Sequence, residues 1–168
     1  MTSDEAISLA FQVSTLAAGD STILQYRYYF GHAGSAPVVD LDANNSSGLG
    51  GANFTTNFTE GSAPVSIVDS DSTLADIDSN NLSGMTATIT NRQDGIAELL
   101  AANTAGTSIT ASFDTNTGVL TLSGSDSVAH YRQVLRTITY ENTSQNPDTT
   151  VRQLSFAATD GTNTSNTA

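Results

Sequence analysis

Four aspartates fall within a span of ten residues, and no basic residue lies among them. They are Asp69, Asp71, Asp76 and Asp78, in the stretch from Val68 to Leu82. Carboxylates this close repel one another unless a cation lies between them. Ca²⁺ is bound by six to eight oxygens from carboxylates, amides, backbone carbonyls and water. The spacing therefore predicts a calcium site.

Other oxygen donors are candidates for the same site or for a second one. Glu60 follows a predicted strand, Asn80 follows the four aspartates, and Asp40 and Asp42 lie two positions apart. Asp and Asn are also common in turns, so an acidic chain forms clusters without any metal. The candidate metal ligands are Glu60, Asp69, Asp71, Asp76, Asp78, Asn80, Asp40 and Asp42.

An EF-hand is excluded by its own spacing. Counted from Asp76, the sixth position is Asn81 where the motif needs Gly, and the twelfth is Ala87 where it needs Glu. A calcium site here would have to take its ligands from loops at the ends of strands.

Composition excludes several classes of function. The chain of 168 residues has a net charge of −12, five arginines, no lysine and no cysteine. Disulfides, thiolate sites and lysine chemistry are therefore excluded, and we expect no binding to nucleic acid, which needs basic surface. No apolar run has the length of a membrane span, so we expect no membrane insertion.

Catalysis is not expected either. His32 and His130 are the only histidines, and no Gly-x-Ser-x-Gly motif is present. His32 lies in a small, flexible segment, and His130 lies on a predicted helix where a surface position is the simpler interpretation. We expect a protein that is not an enzyme.

Short alternating apolar runs separated by turn residues predict the elements that position these groups. The clearest hairpin joins 108–113 to 119–122. Ser127 precedes Val128, Tyr131 and Leu135, a spacing that predicts the one short helix. Residues 95–102 are compatible with a strand or a helical turn, and two short strands are expected around Glu60, containing Phe54 and Phe58 and then 65–67. Further strands are expected at 38–42, 85–90, 137–140 and 154–158. The fold class predicted is all-β, an antiparallel Greek-key β-sandwich.

Two regions are expected along the chain. Residues 1–34 contain alternating runs at 6–13 and 22–30, which predict an N-terminal β-hairpin or strand extension, and residues 35–168 form the sandwich. No signal peptide is recognised, and we expect the chain to be excised from a longer protein.

Several motifs, in their order, resemble the cadherin-like or Ig-like tandem repeats of large bacterial RTX-type surface adhesins. They are Pro37–Asp42, Phe58–Gly61, Asp69–Asp71, Asp76–Ser79, Thr117–Gly124, Tyr131–Asn142 and Ala158–Gly161. The resemblance runs from about Pro37 to the C-terminus, and the acidic motif is matched by Glu60, Asp69, Asp71, Asp76 and Asp78. It implies a β-sandwich, calcium at domain ends, export from the cell and a role in adhesion or as a rigid spacer. The Asp-x-Asn-Asp-Asn-x-Pro linker of animal cadherins and the glycine-rich nonapeptide repeats are absent.

The leading hypothesis is a calcium-binding structural or adhesion module, located outside the cell on a bacterial surface. Its partners would be neighbouring repeats or identical subunits, with a possible cell-surface or matrix ligand. One alternative is a calcium-dependent peptide- or glycan-binding module that uses the aromatic run 26–30 or the loop 44–51. Another is a filament subunit assembled by strand addition through residues 1–34.

Overall fold

The computed structural model describes residues 34–168. The hairpin predicted within residues 1–34, the aromatic run 26–30 and His32 lie outside this range. The strands are β1 Val38–Asp40, β2 Val65–Ser66, β3 Thr73–Ala75, β4 Asn81–Ile89, β5 Glu98–Ala101, β6 Thr110–Asp114, β7 Val119–Ser127, β8 Thr139–Asn142 and β9 Leu154–Thr159. The helix α1 is Val128–Leu135, and a single 3₁₀ turn covers Gly95–Ala97.

The described residues form a β-rich fold of antiparallel sheets. One sheet has four strands in the order β6-β7-β4-β9, a second has three in the order β2-β8-β5, and β1 pairs with β3. Every pairing is antiparallel. The β-rich class and the antiparallel pairing predicted from the sequence are confirmed.

The core lies against the inner face of the four-stranded sheet. Successive side chains of a strand point to opposite faces, so alternate residues of β4 and its neighbours are buried together. On β4 the buried residues are Leu82, Met85, Ala87 and Ile89, on β7 Leu120 and Leu122, and on β9 Phe156 and Ala158. This alternation fixes the register, because a slip by one residue would expose every one of these side chains.

The hairpin of β6 and β7 is confirmed. Gly118 has a φ of 74°, a left-handed conformation that glycine adopts without steric cost. Its N–H donates to the carbonyl of Asp114 at 2.8 Å, and the Asp114 side chain accepts from the N–H of Asn116 at 2.8 Å. The turn residues therefore supply local hydrogen-bond partners for the backbone groups at the end of the hairpin.

The helix is confirmed as well. Ser127 is its N-cap, and the Ser127 hydroxyl accepts from the N–H of His130 at 3.2 Å. Tyr131, Val134 and Leu135 are buried against the core. The Tyr131 hydroxyl donates to the carbonyl of Gly124 at 2.6 Å, which joins the helix to β7.

Three details differ from the expectations. Residues 53–59 form no strand. Phe58 instead forms a T-shaped aromatic pair with Tyr140, and the ring centroids are 5.4 Å apart. The ambiguous run 95–102 divides into a 3₁₀ turn followed by β5. The acidic stretch contains β3, a strand of three residues that was not predicted, because the sequence around it is polar.

The C-terminal residues form a further antiparallel contact along β9. The N–H of Ser165 donates to the carbonyl of Ala158 at 2.8 Å, and the N–H of Phe156 donates to the carbonyl of Ala168 at 2.9 Å. The side-chain amide of Asn166 both donates to and accepts from the backbone of Val39, at 2.8 Å each. The segment 163–168 therefore lies between β9 and β1.

Within residues 34–168, the helices are too short to cross a membrane.

Candidate metal centre

Three carboxylates meet at the end of the β1–β3 pair. Asp42, Asp69 and Asp71 each offer one carboxylate oxygen, and these oxygens all lie within 4.8 Å of one another. A single cation at their centre would contact all three. The group can hold a metal ion.

The strand pairing explains why residues so far apart in sequence meet here. Asp42 follows β1, whereas Asp69 and Asp71 precede β3, and the antiparallel register places Asp40 opposite Thr73. The N–H of Asp69 also donates to the carbonyl of Leu41 at 2.9 Å. The two loops therefore leave the same end of the β1–β3 pair side by side.

Asp42 is the most unusual member because it is completely buried, with 0 % exposure. Its Oδ1 accepts from the N–H of Ser46 at 2.9 Å, and its Oδ2 accepts from the N–H of Ser47 at 2.8 Å. Burial acts to raise the pKa of Asp42, but the hydrogen bonds from Ser47 and Ser46 outweigh it and hold that pKa below its usual value. Asp42 is therefore a buried anion.

Asp69 and Asp71 join the two loops to each other. Asp71 accepts from the backbone N–H groups of Ala43 and Asn44, both at 3.2 Å. Asp69 accepts from the N–H of Asp71 at 3.0 Å and from the Ser46 hydroxyl at 3.1 Å. The hydrogen bond from the N–H of Asp71 is the main cause that holds the pKa of Asp69 below its usual value.

This concentration of negative charge has no cationic partner within residues 34–168. None of the ion pairs found there includes Asp42, Asp69 or Asp71. Arg136 does not pair with these carboxylates. Its Nη2 donates instead to the backbone carbonyl of Ser72 at 2.6 Å. The carboxylates thus accept hydrogen bonds from neutral donors, and no cationic side chain within residues 34–168 offsets their mutual repulsion.

Asp76 and Asp78 lie beyond the other end of β3, away from this group. The Oδ2 of Asp78 accepts from the N–H of Ser35 at 2.8 Å, and the Oδ1 of Asp76 accepts from the N–H of Ser79 at 3.1 Å. The Oδ2 of Asp76 is buried without a hydrogen-bond partner among the described residues. The strand β3 divides the four aspartates into two pairs.

The remaining candidate ligands have other environments. Asp40 accepts from the N–H of Asp42 at 3.0 Å, so it supports the site through the backbone. Glu60 lies exposed in the turn 59–62. The backbone carbonyl of Asn80 accepts from the N–H of Val128 at 3.0 Å. None of these three residues is a member of the three-carboxylate group.

Sequence reasoning missed the donors that hold Asp42. Ser46 and Ser47 belong to the polar loop 44–51, for which the sequence suggests only the alternative role of binding a peptide or glycan. The available signal was local, because Asp42 precedes a loop rich in Asn, Ser and Gly, and aspartate commonly accepts from backbone N–H groups in turns. Asn45 occupies a left-handed conformation in that turn, with a φ of 54°.

The sequence analysis also did not predict a second set of charged groups, whose members form ion pairs and hydrogen bonds with one another. Glu98 on β5 is completely buried and forms an ion pair with Arg152. Arg152 also contacts Asp94, with Nη2 and Oδ2 2.6 Å apart, and the Tyr140 hydroxyl donates to Glu98 Oε1 at 3.1 Å. This ion network, Asp94, Glu98, Tyr140 and Arg152, joins β5 and β8 to the start of β9.

Comparison with known proteins adds no relative: neither a family model, nor a curated protein, nor a solved structure matches this chain.

Proposed function

We propose that this chain is a calcium-binding structural module in which the ion joins two loops at one end of a Greek-key β-sandwich. The observation that carries the proposal is the buried Asp42 carboxylate beside Asp69 and Asp71, with no basic partner in residues 34–168. A hard cation is the natural counter-ion for a set of ligands made only of oxygen.

Calcium is preferred to magnesium on the chemistry of the donors. Mg²⁺ requires a near-ideal octahedron and retains most of its water, whereas Ca²⁺ accepts irregular sets of carboxylates, carbonyls and hydroxyls. The Ser46 hydroxyl oxygen lies 3.1 Å from Asp69 Oδ2, so a neutral oxygen stands beside the three carboxylates. A divalent ion also neutralises more of the charge of three carboxylates than a monovalent ion does.

The module is proposed to act outside the cell, where free calcium is abundant, as one repeat of a bacterial surface protein of the cadherin-like, RTX-adhesin type. Its partners would be neighbouring repeats or identical subunits, and it would have no catalytic role. The resemblance of the motifs in the sequence supports this assignment, together with the strongly acidic composition.

Calcium binding is tested by comparing the thermal unfolding midpoint in the presence of calcium with the midpoint in the presence of a chelator. An ion that binds only the folded state stabilises it by RT ln(1 + [L]/Kd), which is about 2.7 kcal/mol at a hundredfold excess over Kd. We expect calcium to raise the unfolding midpoint, and magnesium at the same concentration to raise it less. An unchanged midpoint would reject calcium binding.

A matched pair of variants locates the effect. Asp42→Asn removes one charge from the site, whereas Asp114→Asn removes one charge from the β6–β7 turn. We expect the first to abolish most of the calcium-dependent rise and the second to preserve it. Equal responses from the two variants would assign the effect to general screening of the net negative charge.

A further inference from the structure

The strand β6 is an edge of the four-stranded sheet, where it pairs with β7 alone. Within residues 34–168, no strand pairs with its other side. Native sheets commonly protect such an edge with lysine, proline or a β-bulge. The sequence of β6, Thr-Ala-Ser-Phe-Asp, contains neither lysine nor proline, and its pairing with β7 runs without a register shift. The edge is therefore open to pairing with another strand.

The registers show which backbone groups of β6 point to the open side, because bonded and non-bonded pairs alternate along antiparallel strands. Phe156 bonds away from β4 and lies opposite Ala87. Ala87 therefore points toward β7, where it exchanges hydrogen bonds with Leu120. Leu120 lies opposite Phe113, so the N–H and C=O of Phe113 point away from β7, as do those of Ala111 two residues earlier. These four groups have no partner in the described part of the chain.

Apolar side chains accompany this open edge. Ala111 is exposed and Phe113 is half-buried, and both lie on the sheet face of the buried Leu122 and Leu120. Phe113 also lines a pocket of about 190 Å³ together with Leu99 of β5. A strand added beside β6 would place its own alternate side chains on this face.

Charge favours a second copy of the chain as the partner. Each copy carries a net charge of −12, so most surfaces of two copies repel each other. Residues 99–113, which include most of β5 and β6, contain no ionisable side chain. Two copies can therefore approach through this edge without bringing like charges into contact.

We propose that two copies of the chain associate through β6, paired antiparallel about a two-fold axis at Ser112. Phe113 of each copy then exchanges two hydrogen bonds with Ala111 of the other, which satisfies all four open groups of each edge. The large Phe113 side chain lies beside the small Ala111 side chain of the second copy. On the opposite face, Asp114 lies opposite Thr110 of the second copy, so the two Asp114 residues are about 14 Å apart along the strands. The two four-stranded sheets become one sheet of eight strands.

Disulfide formation between copies tests the proposal, because the chain has no cysteine. The two Ser112 residues would form a non-hydrogen-bonded pair with Cα atoms about 4.5 Å apart, a separation that a disulfide can span. The test variant is Ser112→Cys, and the matched control is Thr121→Cys. Thr121 is exposed and lies opposite Ser112, but on β7, one strand in from the edge. In the proposed dimer its two copies would be about 14 Å apart, three strand spacings.

We expect the disulfide dimer to form several-fold more from Ser112→Cys than from Thr121→Cys in the same glutathione redox buffer. Equal yields from the two variants would overturn the proposal.

A second substitution in the Ser112→Cys chain separates edge pairing from random collision. Ala111→Pro removes an N–H that points to the open side, so it costs no hydrogen bond to β7. It should lower the dimer yield to that of the control without changing the unfolding midpoint. Ala111→Asp keeps the N–H but places a carboxylate beside Phe113 of the second copy, and it should lower the yield in the same way. A yield that neither substitution lowers would also overturn the proposal.

Discussion

Replacing Arg152 by Met tests how strongly the ion network holds β9 to the rest of the fold. Arg152 is 11 % exposed at its side chain and Glu98 is 0 % exposed, so the substitution leaves a buried carboxylate without its nearest cation. Breaking a buried pair in this way typically costs about 3–5 kcal/mol. Glu98 keeps hydrogen bonds from the Tyr140 hydroxyl at 3.1 Å and from the N–H of Gln93 at 3.0 Å. We therefore expect a loss at the lower end, about 3 kcal/mol.

Urea unfolding followed by circular dichroism measures this loss, and Arg132→Met on the exposed face of α1 is the matched control. The control should change the free energy of unfolding by less than about 0.5 kcal/mol. Adding Glu98→Gln to Arg152→Met should restore part of the loss, because the buried carboxylate charge, left with Arg92 Nε at 3.9 Å, is then removed. The reasoning is refuted if Arg152→Met costs no more than the control, or if the second substitution restores nothing.

Three further predictions concern backbone geometry, helix capping and pH. Gly124→Ala should destabilise the fold by about 1–3 kcal/mol, because φ is +124° and the new Cβ would lie 2.5 Å from the Ser108 carbonyl; Gly50→Ala, with open space around it, should be near neutral in the same urea titration. Ser127→Ala should cost about 1 kcal/mol by removing the N-cap of α1, and an unchanged urea midpoint would contradict the capping role. Burial and the Glu98 carboxylate raise the pKa of Tyr140 to about 12, so its contribution to stability is complete below pH 10 and is lost as the pH rises to about 12. Tyr140→Phe should flatten that part of the pH profile of unfolding, and a profile that keeps its slope would be the contrary result.

Elements with local signals were predictable from the sequence. The β6–β7 turn contains its own acceptor and glycine, and α1 contains its own N-cap and apolar face. By contrast, β3 has only three residues, and its single buried side chain, Leu74, gives too little alternation to detect. For residues 53–59 the error was the opposite one, because a strand was predicted where none is present. Phe58 packs on the ring of Tyr140 without any strand pairing.

The sequence predicted a cluster of carboxylates, but it did not predict which aspartates form that cluster. Clustered aspartates indicate a cation, but their grouping depends on which strand ends meet. Asp42 joins Asp69 and Asp71 because β1 pairs with β3, a long-range contact that local patterns do not encode. The buried acid on β5 had a weaker signal, since Glu98 and Leu100 are two apart and share one face of the strand.

The contacts of the segment 163–168 have a mechanical consequence. Asn163 donates to the carbonyl of Gly34 at 2.8 Å, and Asn166 pairs with Val39, so this segment and the chain from Gly34 to Val39 run in the same direction. Tension applied outward at Gly34 and Ala168 slides the segments 34–39 and 163–168 past each other. The hydrogen bonds between the two segments are then loaded simultaneously, in shear. Bonds loaded together must fail together, whereas bonds opened from one end fail in succession. Resistance to pulling is governed by the rate of unfolding, and the side chains of Asn163 and Asn166 supply cross-links that are loaded in this way.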